Sequence, residues 1–388
     1  MSRSLIPVTY ADYRELARRR LLNRLFEYID GGSYQEVTLH DNAADLDRLR
    51  IRQRVLRNVS ERNLSTTVLG QPWTMPVGLA PVGLAGLFRR RGEVQALRAA
   101  EAAGVPFTLS TVGLCSIEEV AQAATKPFWF QLYVMRDRGF VAELIERAKA
   151  ARCGALVLTV DLAVPGSRYR DVRSGMMGGV GAAGKLALAW DTLRHAGWVY
   201  DVALRGRPLV FGTIAPKLPG ARSLPEFVDF VGRNFDASVT WKDVEWIRSL
   251  WGGPLIVKGV LDPDDARAAA ESGAHAVVVS NHGGRQLDSV PSTISALPAI
   301  VDAVGGRVEV LFDGGVRSGL DVFKALAFGA RAALLGRAWV FPLAALGEAG
   351  VTRVLGTVRR ELEVALALAG VTSVSEIGRE QLVDAGNG

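Results

Sequence analysis

The sequence predicts an α/β fold, a (β/α)8 barrel of the TIM type with an N-terminal helical extension and a long insertion after the fourth strand. Three observations predict it. Eight short runs are apolar throughout rather than alternating, which is the pattern of strands buried on both faces of a parallel sheet. Each run ends in a polar or glycine-bearing tip. The stretches between them are Ala-rich with helical spacing, as in "DDARAAAESGA" and "GLDVFKALAFGA". An open doubly wound sheet also uses apolar strands, but eight units in succession favour closure.

In chain order, residues 1–75 form the helical and irregular extension, with "YADYRELARRR" entering a helix. The first four runs are "PVGLAP" (76–81), "PFTLST" (106–111), "FWFQLY" (128–133) and "ALVLTVD" (155–161). The last four are "PLIVKG" (254–259), "AVVVSNHGG" (276–284), "VEVLFDGG" (308–315) and "AALLGR" (332–337). The barrel is expected over 76–370, within one domain spanning 1–388. Between the fourth and fifth runs, 165–250 is far longer than an ordinary connection, and such segments are lids, interaction surfaces or disordered. Within it, helical spacing places Leu186, Trp190 and Leu193 on one face, with Lys185, Arg194, Arg205 and Arg207 close by. That face has two readings: packing of a lid helix on its own barrel, or contact with an anionic lipid surface.

Composition narrows the function. With 388 residues, 49% hydrophobic and 22% charged, the chain is globular rather than disordered. Cys115 and Cys153 lie far apart and outside any CxxC pattern, so neither a disulfide framework nor a metal site is expected. The net charge of +6 suits nucleic acid, an anionic membrane or anionic small molecules. Its basic residues are scattered, as in "LFRRRGE", and aromatics are only 7%, which argues against a nucleic-acid module. The opening residues lack the apolar core of a signal peptide, and no run of about 18 apolar residues exists. The expected setting is the reducing cytoplasm.

In a barrel the strand tips converge on one cavity. These tips carry Pro81, Val82 and Gly83, then Ser110, Gln131 with Tyr133, and Thr159 with Asp161. The later ones carry Lys258, Ser280 with His282 and Arg285, Asp313 with Arg317, and Gly336 with Arg337. A single polar tip often marks only the start of a loop; eight in a row strain that explanation. "FDGGVRSG" and "LGRAW" follow the seventh and eighth strands, where barrels commonly bind phosphate, and each pairs glycine with arginine. A phosphorylated substrate or cofactor is therefore expected. His282 suits a base near neutral pH, Asp161 an orienting partner, and Arg285 a carboxylate clamp. His40, His195 and His275 lie in helix-like or loop contexts and are assigned no chemistry. Lys258 has two readings, a Schiff-base nucleophile as in barrel aldolases or a fixed cation facing developing negative charge.

The motifs "FQLYV", "LTVD", "VKG", "SNHGGRQLD" and "DGGVRSG" followed by "DVFKALA" stand in order at these positions. Carried by them, the chain from "YADYRELARRRL" to "TSVSEI" resembles the FMN-dependent 2-hydroxy acid dehydrogenase and oxidase family. "YIDGG", "APVGL", "FTLSTVGLCSIEEVA" and "SVTWKDVEWIR" are most similar to its bacterial respiratory L-lactate-oxidising members. The resemblance implies FMN as cofactor and oxidation of an L-2-hydroxy acid, L-lactate to pyruvate first, with electrons passing to a quinone or other carrier. It implies His282 as base with Asp161 behind it, Arg285, Arg168 and Tyr28 on the substrate carboxylate, and Tyr133 near the hydroxyl. Lys258 would lie beside the flavin, Pro81, Val82 and Gly83 against it, and Ser110, Gln131, Thr159 and Ser280 among its polar contacts. Asp313, Gly315, Arg317, Gly336 and Arg337 would hold the ribityl phosphate. A homotetramer attached peripherally to the inner face of the cell membrane is also implied, since membrane-bound relatives attach through the inserted region. Two departures bear on selectivity: Val112 replaces a tryptophan of glycolate oxidase, and Gly83 an alanine of several oxidases. Mandelate or a longer 2-hydroxy acid, oxygen as acceptor, an aldolase on Lys258, and a non-catalytic phosphate-binding barrel are the alternatives.

Overall fold

The structure, a computed structural model, describes residues 6–383 except 177, 219–225, 227–229 and 231. Eight parallel strands form one sheet: β1 (Val77–Leu79), β2 (Thr108–Ser110), β3 (Trp129–Leu132), β4 (Ala155–Thr159), β5 (Leu255–Val260), β6 (Ala276–Val279), β7 (Glu309–Phe312) and β8 (Ala332–Leu335). Neighbours follow chain order, and β8 pairs with β1. The ring closes between β1 and β2 through the parallel bridge Leu79↔Phe107. Seven of the eight strands are shorter than their apolar runs, and β5 is as long as its run but displaced by one residue. The run 276–284 leaves the sheet after Val279 because His282, Gly283 and Gly284 take left-handed backbone, at φ +56°, +65° and +71°.

Side-chain parity builds the core. Trp129, Ala155, Val157, Ile256, Ala276, Val278, Leu311 and Leu334 cluster inside the barrel, while Leu156, Leu158, Val257, Val277 and Val279 join the larger cluster beneath the helices. A hairpin, Thr66–Val68 with Gln71–Trp73, closes the N-terminal end, its Val68 and Trp73 packing into the interior cluster. At the other end, the next inward position of each strand is two residues on. For β3 to β8 those positions are Gln131, Thr159, Lys258, Ser280, Asp313 and Gly336, five of them polar, in a layer above the apolar ones. The same alternation that buries the valines therefore sets the chemistry at the C-terminal mouth.

The extension supplies α1 (Tyr10–Arg20), α2 (Asn23–Asp30) and α3 (Val37–Arg48). A capping box of Thr9 and Asp12 starts α1. Tyr10 and Phe26 then seat α1 and α2 on Phe341, with ring centroids 5.4 and 6.1 Å apart. The backbone N–H groups at the start of α3 are taken by Asp288, whose carboxylate accepts from Gln35, Val37 and Thr38 at 2.8–3.3 Å. Asp288 ends the "SNHGGRQLD" loop, so the extension is tied to the barrel mouth.

The insertion contains α4 (Ala182–Arg194) and returns to the barrel through α5 (Trp241–Trp251), whose Val244, Ile247 and Trp251 are buried. No residue of α4 is buried, and Leu186, Trp190 and Leu193 are 73%, 60% and 71% exposed. Among the described residues, that face does not pack on the barrel. Among the described residues, no helix is long and apolar enough to cross a membrane.

Candidate active site

A cavity of about 670 Å³ occupies the C-terminal mouth of the barrel. Tyr28, Tyr133, Arg168, Lys258, His282 and Arg285 all line it. So do Pro81, Val82, Gly83, Thr159, Asp313, Gly315, Arg317, Gly336 and Arg337. Ser110, Gln131 and Ser280 lie buried at the strand ends beneath it, and Asp161 stands behind His282. His40, assigned no chemistry from sequence, also reaches its wall.

The His282 N–H donates to Ser280 Oγ at 3.1 Å, which anchors the left-handed turn. Its Nδ1 lies 2.8 Å from Asp161 Oδ1. A carboxylate there demands the Nδ1–H tautomer, which leaves the Nε2 lone pair for the cavity. Burial alone would raise the Asp161 pKa, but the His282 ring and Lys258 hold it below the ordinary carboxylate value. The glycine of "VKG" makes this approach possible: a Cβ on Gly259 would stand 2.6 Å from Asp161 Cβ.

Lys258 is buried, with Nζ 2.9 Å from Asp313 Oδ2 and donating to Ser280 Oγ at 2.8 Å. Burial pulls its pKa down, yet Asp313 and Asp161 more than offset this, and it stays above the ordinary lysine value. A Schiff-base lysine needs a neutral amine. This one is a fixed cation, and the aldolase reading fails on that point.

Two guanidinium groups share the Tyr28 ring, Arg285 at 4.7 Å and Arg168 at 5.9 Å from its centroid. Arg285 Nη1 donates to the carbonyls of Tyr28 and Gly31 at 2.5 and 2.8 Å, and Arg168 Nε to the Arg285 carbonyl at 3.2 Å. Burial, with Arg168 adding repulsion, pushes the Arg285 pKa down to about 10, so it remains charged at neutral pH. Buried like charges facing a cavity favour an anion between them. Tyr133, also on the cavity wall, stays a neutral phenol because burial and Asp161 raise its pKa.

The polar layer tests the cofactor. Gln131 Nε2, Thr159 Oγ1 and Asp313 Oδ1 are buried without a partner, and Ser110 Oγ fixes the Gln131 amide by donating to its Oε1 at 3.0 Å. Each unpaired buried group costs about 1–3 kcal/mol, so this layer suits a ligand with a polar edge. A Cβ on Gly336 would meet nothing within 4 Å, leaving the cavity open there, while Arg337 gives three of its five N–H donors to the carbonyls of Ile29, Gly31 and Gly283 at 2.8–2.9 Å. Arg317 pairs with Asp47 at 2.9 Å, a carboxylate 66% exposed and so a weak competitor for that cation. The amide, hydroxyl and ammonium groups, the open glycine and the two guanidinium groups fit FMN.

Sequence reasoning missed the residues that brace these groups. Gln286 donates to the Asp161 and Val164 carbonyls at 2.8 and 3.2 Å and accepts from Arg168 Nη2 at 3.3 Å, joining the two loops that carry the cations. Arg170 binds Glu27 at 2.5 Å and Asp30 at 2.8 Å, fastening that loop to α2. Asn42 and Asn281 exchange amide hydrogen bonds of 2.8 Å each, and a Cβ on Gly315 would stand 2.4 Å from the Asn42 carbonyl. One signal was legible: Thr38, Asn42 and Leu46 form the buried i, i+4, i+8 stripe of α3, and an asparagine in such a stripe needs a buried partner.

The FMN-dependent dehydrogenase family model matches residues 17–384. L-lactate dehydrogenase of Stenotrophomonas maltophilia is 53% identical over 96% of this chain and 98% of its own length. That of Ectopseudomonas mendocina is 52% identical over 96% and 97%. Among solved structures, the monotopic membrane protein (S)-mandelate dehydrogenase superposes with a TM-score of 0.91 at 35% identity, over 97% of this chain and 99% of that one. Mandelate oxidase with (S)-4-hydroxymandelic acid gives 0.83 at 36%, over 97% and 98%. The eight-stranded barrel, the histidine oriented by a carboxylate and the unpaired polar layer agree with these matches: the chain belongs to the FMN-dependent dehydrogenase family.

Proposed function

We propose that this protein oxidises a small L-2-hydroxy acid, L-lactate to pyruvate, and passes the electrons to a quinone or other respiratory carrier. The observation that carries the reading is one cavity holding a carboxylate-oriented histidine opposite two arginines on a single tyrosine ring. The relatives named L-lactate dehydrogenase, similar over nearly their whole length, support lactate.

Bound FMN supplies a two-electron acceptor for the substrate carbon. Arg168 and Arg285 take the substrate carboxylate, with Tyr28 holding both guanidinium groups in place. His282 Nε2 receives the hydroxyl proton, and ionised Asp161 stabilises the imidazolium that forms. Tyr133, a neutral phenol, orients the hydroxyl oxygen. Lys258 keeps a positive charge beneath the cavity that favours negative charge developing above it. Ser110, Gln131, Thr159, Ser280 and Asp313 satisfy the polar edge of the cofactor. Gly315, Arg317, Gly336 and Arg337 take its phosphate.

Pro81, Val82 and Gly83 form the facing wall. A Cβ on Gly83 would stand 2.6 Å from Val112 Cγ2, so alanine there displaces Val112. The solvent-facing side of α4 supports peripheral attachment at the inner face of the membrane, and one structural relative is a monotopic membrane protein. A homotetramer remains part of the reading through the resemblance.

Anaerobic bleaching of the flavin by a panel of 2-hydroxy acids tests the activity. L-lactate is expected to reduce it fastest; faster reduction by (S)-mandelate would move the substrate to the second reading, which the mandelate-oxidising neighbours support. Release of the cofactor and its mass should give FMN, and FAD would overturn the single phosphate site.

A further inference from the structure

A second cavity, of about 250 Å³, lies at the barrel mouth between the tips of β3, β4 and β5 and the start of α5. Strand parity puts it outside the barrel, since Val134 and Val160 occupy outward positions, and the register shift between Lys258 and Val260 turns Val260 outward beside Val279. Trp241 and Val244 of α5 form its far wall. Among the described residues, Tyr133, Thr159, Leu162 and Phe235 line both this cavity and the active-site cavity, so the two are neighbours.

The division is built rather than accidental. Tyr133 and Phe235 meet edge to face, with ring centroids 5.2 Å apart and planes at 71°. Phe235 is anchored on both sides. It bridges Met135, the Arg136 N–H donates to the Asn234 carbonyl at 2.9 Å, and Arg138 binds Asp236 at 2.7 Å. Tyr133 belongs to the proposed chemistry. Phe235 has no part in it, and its ring stands where the cavities would otherwise merge.

We propose that Phe235 sets the chain-length limit for the substrate, and that the space behind it is a subsite for the unbranched apolar tail of a longer L-2-hydroxy acid. The proposal rests on the 2-hydroxy acid reading above. Continuity with the cavity that holds the substrate head argues for a tail of the same molecule rather than a separate ligand. The volume equals roughly eight waters at about 30 Å³ each, room for several methylenes. Five valines, Leu162 and three aromatic rings make most of the walls; the described lining also holds Asp265 and Asp236, the latter paired with Arg138, and these carboxylates, with no cation in the described lining, disfavour a second anionic group.

The test measures kcat/KM for anaerobic flavin reduction by L-lactate, L-2-hydroxybutanoate, L-2-hydroxyhexanoate and L-2-hydroxyoctanoate in the holoenzyme. Phe235→Ala is expected to raise the octanoate-to-lactate ratio at least tenfold, since each newly buried methylene favours the longer acid roughly fourfold. Phe235→Leu should fall between the two, and it carries the test if the alanine variant does not fold. Adding Val239→Phe to the alanine variant should refill the space and reverse the gain. An unchanged ratio in a Phe235 variant that still turns over lactate overturns the proposal, as does a gain that survives Val239→Phe. A variant altered only in its KM for a quinone assigns the space to the acceptor and likewise overturns it. If no 2-hydroxy acid bleaches the wild-type flavin, the activity reading fails first and the subsite with it.

Discussion

His282 is held from three directions: a left-handed backbone, the Ser280 hydroxyl on its N–H, and Asp161 on Nδ1. Its ring is therefore positioned before any substrate arrives, and only Nε2 is left for chemistry. His282→Gln keeps the shape and hydrogen-bonding character but cannot take a proton. Flavin content should be unchanged while reduction by L-lactate slows by about 10² to 10⁴ or more, read by stopped flow. Near-normal reduction would remove His282 from the mechanism. Asp161 makes a separate prediction through pH. Its carboxyl pKa is depressed in the folded protein, so its stabilising contribution is fully present above the unfolded value near about 3.9 and is lost as pH falls through the folded value. Asp161→Asn should flatten the acid limb of stability below about pH 4, measured by thermal melts across pH. At pH 7 the same variant should lose turnover, because an amide does not stabilise the imidazolium.

The elements that bear the site come from both ends of the sequence. The strands bring the polar layer, and α2 and α3 of the extension brace it. The C-terminal end of α2 presents the carbonyls of Tyr28, Ile29 and Gly31 to Arg285 and Arg337, the end of a helix where cations are favoured. The inner stripe of α3 meets the His282 loop through Asn42 and Asn281, both buried. Asn42→Ala removes two of the four hydrogen bonds of the Asn281 amide, leaving it the Pro291 carbonyl and the Gly284 N–H, and also takes an acceptor from the Thr293 N–H. The expected cost is about 1–3 kcal/mol in urea unfolding. Because Asn281 directly precedes His282, kcat should also fall while the flavin stays bound. A stability loss with unchanged kcat would make Asn42 a packing residue only.

At the scale of the molecule, the chain is a barrel with a polar mouth and an exposed apolar face on α4. Leu186, Trp190 and Leu193 project from α4, with Lys185 and Arg194 exposed on the same helix. The enzyme is expected to sediment with anionic vesicles at low salt and to release as salt rises, since the Debye length shrinks to about 8 Å at physiological ionic strength. Replacing Leu186, Trp190 and Leu193 by serine should abolish sedimentation and leave flavin reduction by L-lactate intact. In reoxidation, a quinone should outpace oxygen. If oxygen restores the flavin at the rate of turnover while quinones do not, the protein is an oxidase.

The sequence alone determined the barrel, because uniformly apolar runs with polar tips have few folded solutions, and strand parity then dictated which tip residues face inward. His282, Asp161, Lys258 and the three tip arginines, Arg285, Arg317 and Arg337, could be named for the same reason. Tertiary structure decided what no local pattern encodes. Arg170 meets α2 across 140 residues and Asn42 meets Asn281 across 239, and such pairings are set by where the extension lands on the closed barrel. The state of Lys258 was undecided between nucleophile and cation until Asp313 stood 2.9 Å away, because a buried amine takes its charge from its neighbours. The face of α4 was equally open, since an amphipathic period says that a helix has an apolar side and not what that side meets. Only the folded chain shows it turned away from the barrel.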